Sequence, residues 1–200
     1  MAITALTSPP AAAASTAADD GPVVVIPGAP GEGNDSSGSD DWQDDQDSGD
    51  TWNQADAAFM TMMIPHHAQA VEMTALVDER AHSKQLTRFA ERMHLAQEAE
   101  IDAMGDWLAE RDLPVPEGAG DELMPGMLTD GEMETLRAAE GKEFDRLFLE
   151  GMIDHHEGAL DMCDAAQAEG IDLDAQQMVT HIASSQAGEI SRMEDLLKKY

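Results

Sequence analysis

Two pairs of adjacent histidines, His66-His67 and His155-His156, stand in the same frame of residues, 89 positions apart. The first frame reads Phe59-x3-Met63-Ile64-x-His66-His67-x2-Ala70-x2-Met73, and the second Phe148-x3-Met152-Ile153-x-His155-His156-x2-Ala159-x2-Met162. Imidazole is a borderline donor and thioether a soft one; together they suit copper, and thioethers favour Cu(I). A Met three residues before a His puts sulfur and nitrogen on adjoining turns of a helix, within reach of one ion. The candidate ligands are therefore Met60, Met63, His66 and His67, with Met73, in the first half, and Met152, His155, His156 and Met162 in the second. Met60 and Met62 are matched by Leu149 and Gly151, so the first half is expected to bind Cu(I) more strongly. Met124-Pro125-Gly126-Met127 adds two thioethers on a segment that could close over an ion.

Other metals fit less well. A structural zinc site wants four Cys or His donors, and Cys163 is the only cysteine; zinc held by two His and a carboxylate is the second choice. Di-iron bundles use paired Glu-x-x-His motifs. Glu91-x2-His94 has that spacing, but its repeat positions are Thr180 and Ala183. The competing account needs no metal: His facing Gln or Glu across a bundle is a buried polar network, with His66 expected to meet Gln97 or Glu100 and His155 to meet Gln186 or Glu189. No hydrolytic triad, phosphate loop or dinucleotide fingerprint is present, so the chain is expected not to be an enzyme. A ferritin-like oxidoreductase is the remaining alternative.

These side chains need helices to carry them. Phe59, Met63, His66, His67, Ala70 and Met73 recur at helical spacing and share one face. The 89-residue shift also maps Gln97-x2-Glu100-Ile101-x2-Met104 onto Gln186-x2-Glu189-Ile190-x2-Met193, and 14 of the 53 positions from 56 to 108 are identical. A repeat this long is a duplicated structural unit. Helices are predicted over 52–79, 83–111, 141–168 and 173–198, with a short one over 130–139 opened by Thr129-Asp130-Gly131-Glu132. Pro65 is expected to kink the first helix just before His66. The fold class is all-α: an antiparallel four-helix bundle built from a duplicated helix hairpin. Its parts are a first hairpin at 51–111, a linker with a short helix at 112–140 and a second hairpin at 141–200.

Residues 1–50 are rich in Ala, Pro, Gly, Ser and Asp and read as a disordered acidic tail. Ten of the chain's 41 acids lie there, with no Lys or Arg before Arg80, and the formal net charge is −30. Such a field repels nucleic acid and accumulates cations. Metal ions are thus the expected partners; nucleic acid is not, and the sequence identifies no protein partner. No run is long enough to span a membrane, and no signal segment is evident.

The run from Phe59 to Met73 and that from Phe144 to Met162, with the Gln-x2-Glu-Ile-x2-Met pattern of the other two helices, resemble the signature of the domain of unknown function 305 family, which includes CopM-like copper-binding proteins. The resemblance covers about 53–198. It implies a ferritin-like bundle, usually exported and so extracytoplasmic (secreted, periplasmic or cell-surface). Some members bind Cu(I) or Ag(I) through Met and His. On this chain the implied ligands are Met63, His66, His67, Met73, Met152, His155, His156 and Met162.

Overall fold

The computed structural model describes residues 51–119 and 123–200, and the backbone of 24–26 and 35–37. Asn53 starts α1 (Gln54–Ala75): its side chain accepts from the amides of Ala55 and Asp56, and the Asp56 carboxylate accepts from the Asn53 amide in return. This capping box closes the orphan donors of a helix start. The chain runs helical through Pro65 and breaks at Leu76, earlier than predicted; a separate turn, α2 (Val77–Arg80), follows. Ser83 caps α3 (Lys84–Ala109). The predicted Thr129–Glu132 capping box opens α4 (Asp130–Ala138). Next comes α5 (Gly141–Glu169), and Asp172 caps α6 (Leu173–Leu197).

The hairpins α1–α3 and α5–α6 join through α1 and α5. One apolar cluster gathers Phe59, Met60, Met63 and Ile64 from the start of α1, Met104 and Leu108 from the end of α3, Met162 and Cys163 from the later part of α5, and Val179 and Ile182 from α6. The other gathers Met73, Phe89, Met93, Phe148, Met152 and Met193, from the opposite halves of the same helices. Each helix therefore runs antiparallel to its neighbours. The residues between the two clusters are polar: His66, His67, Gln97, Glu100, His155, His156 and Gln186 are all buried, each near the middle of its helix. The core is two apolar ends enclosing a polar waist.

The hairpins are fastened to each other by a pair of buried aspartates. Asp56 on α1 accepts from the amides of Ile171 and Asp172, in the turn between α5 and α6. Its repeat partner, Asp145 on α5, accepts from the amides of His82 and Ser83, in the turn before α3, and from the Tyr200 hydroxyl. Each hairpin thus holds the other's turn. Gly170 makes room for the first clamp, since a Cβ there would lie 2.3 Å from Asp56 Oδ1.

Residues 1–49 form a separate unit. Within it β1 (Val24–Ile26) and β2 (Asp35–Ser37) pair antiparallel, Val24 opposite Ser37. β1 falls within the run Val23-Val24-Val25-Ile26 of that acidic segment. The rest of the expected disordered tail lies outside the described residues.

Candidate metal centre

Successive helical residues point about 100° apart, so His66 and His67 cannot face the same neighbour. His66 turns to α5, where its ring meets that of His155 at 3.9 Å between centroids, the planes tilted by 43°. His67 turns to α3 and bonds Glu100 Oε2 through Nε2 at 2.9 Å. The second half repeats this: His156 Nε2 meets Glu189 Oε2 on α6 at 2.7 Å. The centroids of His67 and His66 are 6.5 Å apart and those of His155 and His156 6.2 Å. The four rings therefore form one row, 67–66–155–156, through the waist.

One expectation changes here, that of the histidines' partners. The carboxylate partners belong to the second histidine of each pair, not to His66 and His155, because the 100° step sends the first histidine to the helix that carries the other copy. Gln97 and Gln186, also expected partners, have no protein partner at either amide atom. The inner rings of the two frames touch, so the two halves meet in one row. The thioethers divide between the ends: Met60, Met63 and Met162 lie in one apolar cluster, Met73 and Met152 in the other. Met63 and Met152 are fully buried and stand three residues before the inner histidines, a rise of about 4.5 Å. Met60, Met73 and Met162 are six or seven residues away, about two turns.

The ring nitrogens carry the chemistry. A carbonyl only accepts, so the 2.9 Å contact between His66 Nε2 and Pro125 O fixes the proton on Nε2. His66 Nδ1 is then a buried lone pair with no partner. Nδ1 of His67 and of His156 has none either, and His155 has no partner at hydrogen-bond geometry at either nitrogen. Orphaned buried polar atoms in such number are rare. Burial, reinforced by the neighbouring imidazoles, lowers His66 to about 4, the Pro125 bond opposing only part of the shift. Burial first, and the His66, His156 and His67 rings next, hold His155 well below the ordinary value, the His66 carbonyl opposing only part of the shift. Both rings are thus neutral at pH 7, the form that ligates metal. Their folded values lie below the unfolded ones, so the unfolded chain takes up more protons as pH falls. Stability of the metal-free bundle is expected to be full above about pH 6.5 and to drop by roughly 3 kcal/mol for His66 alone by pH 4. Urea midpoints across that range check this; a curve no steeper than that of a His66→Gln variant would contradict it.

Among the described residues, no three of His, Cys, Asp and Glu stand together as a metal set. What the waist offers instead is a contacting histidine pair with thioethers one turn away on either side, a donor set of the low-coordinate, soft type. His82 is exposed, and His181 is 68% exposed with Nε2 3.3 Å from Glu100 Oε1. His94 bonds Thr74 through Nδ1. Burial raises the Cys163 thiol to about 12, which makes it an inert core residue.

The Met124–Met127 segment does lie over the waist, through its backbone. Gly126 is in the left-handed region at φ 77°. A Cβ there would lie 2.3 Å from Asp154 O, and one on Gly158 would lie 2.0 Å from Pro125 O. Two glycines thus let the segment press onto α5 and reach His66. Gln69 pins the next residue at two points, donating to Leu128 O at 2.9 Å and accepting from its amide at 2.8 Å. Sequence reasoning missed Gln69, Pro125 and Gly158. Gln69 and Gly158 are repeat partners of different type, and that mismatch was the available signal. Asp56 and Asp145, also missed, are identical across the repeat.

The model of the family described as Domain of unknown function (DUF305) matches residues 56–197. A DUF305 protein of Streptomyces coelicolor, described as a candidate secreted protein, is similar at 32% identity and TM-score 0.66, over 72% of this chain and 93% of its own. A DUF305 fragment from Deinococcus radiodurans gives 26%, TM-score 0.67, 74% and 98%. CopM in its Cu(II)-bound form gives 27%, TM-score 0.63, 72% and 96%; CopM also has Cu(I)-bound, Ag-bound and apo structures. No curated protein matches the chain. No described helix is long and apolar enough to cross a membrane.

Proposed function

The chain belongs to the DUF305 family, and we propose that it is an extracytoplasmic, non-catalytic protein that binds Cu(I), or Ag(I) in its place, for copper buffering or tolerance. The observation that carries this is the contacting pair His66–His155, buried and neutral, with lone pairs that meet no protein donor. His66 Nδ1 and a nitrogen of His155 would hold the ion, with Met63 or Met152 supplying sulfur. Such a set favours Cu(I) over harder ions. Met60, Met73 and Met162 line the apolar ends. His67 and His156 would stand beside the centre as the outer rings, each oriented by a glutamate, the usual support for a metal-bound imidazole. The similarity to CopM, with structures in Cu(I), Cu(II) and Ag forms, supports the reading. The Streptomyces relative supports placement outside the cytoplasm.

The second reading, a purely structural polar waist, is favoured by the two His–Glu bonds alone. It leaves His155 with two orphaned nitrogens. Anaerobic titration of the metal-free protein with Cu(I) against a chromogenic chelator separates the two. The metal reading expects a tight stoichiometric complex; failure to withdraw Cu(I) from the chelator contradicts it and leaves the structural waist.

A further inference from the structure

An ion can reach the histidine row only by an opening in the bundle, because all four rings are fully buried. One side of the molecule combines an exposed soft donor, a groove and a removable contact to the row. Met62 is 43% exposed although it sits on a helix whose other methionines are buried. It lines a groove of about 350 Å³ between α1 and α5 together with Phe59, Met162 and Pro125, edged by Asp161 and Glu169. The groove therefore presents two thioethers to a soft cation, and its acidic rim concentrates cations. It ends at Pro125, whose carbonyl holds His66 Nε2. Among the described residues, that bond is the one hydrogen bond of good geometry at the inner ring pair. The peptide is kept in place by its approach to Gly158 and by the Gln69 clamp on Leu128.

We infer that this groove is the port of the metal centre: Met62 and Met162 capture the ion first, and displacement of the Pro125 peptide admits it to His66 and His155. The inference rests on the proposed metal-binding function. Met62 is the new element in it, since its repeat partner is Gly151 and the duplication offers no second port. Capture conserves charge and oxidation state: a thioether–Cu(I) contact forms, is exchanged for imidazole nitrogen, and the Pro125 carbonyl regains its partner or takes water.

The test is the rate of anaerobic Cu(I) transfer from its bicinchoninate complex, measured on the full chain together with the final affinity. Met62→Leu keeps the size, removes the sulfur and lies at the surface, so the fold stays intact. It is expected to slow uptake about tenfold while leaving the equilibrium affinity within about twofold. Gln69→Ala, which frees Leu128, is expected to speed both uptake and release. Peptide mapping after brief peroxide treatment adds a second readout with Ag(I), which peroxide does not oxidise: substoichiometric Ag(I) should protect Met62 from oxidation in the first moments of mixing and release it later. Normal uptake in Met62→Leu at unchanged affinity would overturn the port and leave the metal-binding function standing. Slow uptake in His181→Ala instead would move the entrance to the Glu100 side and also overturn it. If the unaltered chain takes no Cu(I), the function reading fails and the port with it.

Discussion

Replacing His155 by Leu is expected to move stability and metal binding in opposite directions. Both ring nitrogens of His155 are buried without a partner, and a buried polar group left unpaired costs about 1–3 kcal/mol. Leucine fills a similar space without that cost, so the metal-free His155→Leu protein should be more stable by roughly 1–3 kcal/mol. Removal of an inner ligand should lower Cu(I) affinity by about a hundredfold or more, equivalent to roughly 3 kcal/mol. Urea unfolding and chelator competition measure the two effects separately. A residue retained at a cost to stability is the pattern of a site kept for use. A variant less stable than the parent would show that the ring is bonded after all. Glu100→Gln and Glu189→Gln act one step further out, through His67 and His156, and should cost about ten- to a hundredfold in affinity.

The other large effect lies far from the waist. Asp145 is fully buried and accepts from two turn amides and from the Tyr200 hydroxyl. In Asp145→Ala those donors lose their acceptor together, and the turn between the first hairpin's helices loses its tie to the second hairpin. The expected loss is about 3–5 kcal/mol, or roughly 10 °C or more in midpoint for a unit of this size. Asp56→Ala should behave alike, because Asp56 holds Ile171 and Asp172 in the mirrored clamp. Asp145→Asn retains an acceptor and should recover part of the loss. Midpoints within 2–3 °C of the parent for both alanine variants would mean that the turns hold themselves.

Why the sequence revealed some of this and not the rest follows from the range of each signal. Helix period is local, so the four long helices and the Thr129 cap could be read directly. The repeat showed which residues belong together, and the burial of the His row agrees with its place on an apolar face. The direction of a single side chain within that face was not legible. His66 and His67 differ by one step of 100°, and only the packing of α1 between α3 and α5 decides that His67 receives Glu100 while His66 receives His155. The position of the Met124–Leu128 segment depends on clearance at Gly158 and on two bonds from Gln69, fifty-nine residues before Leu128. Contacts of that separation leave no period in the chain. The aspartate clamps were in principle visible, since Asp56 and Asp145 match across the repeat. As single polar residues near helix starts, they carry no motif that names a distant partner.

Metal binding at the waist requires that the inner histidine pair, and not the surface histidines, takes the ion. Ring-nitrogen NMR of ¹⁵N-histidine-labelled protein during titration with Ag(I) addresses this directly, because Ag(I) is closed-shell and leaves the resonances sharp. The account predicts that up to one equivalent the lone-pair nitrogens of His66 and His155 move toward metal-bound values, while His82 and His181 keep theirs. Movement of His82 and His181 with the resonances of His66 and His155 unchanged would contradict it, and would leave the buried row a structural element alone.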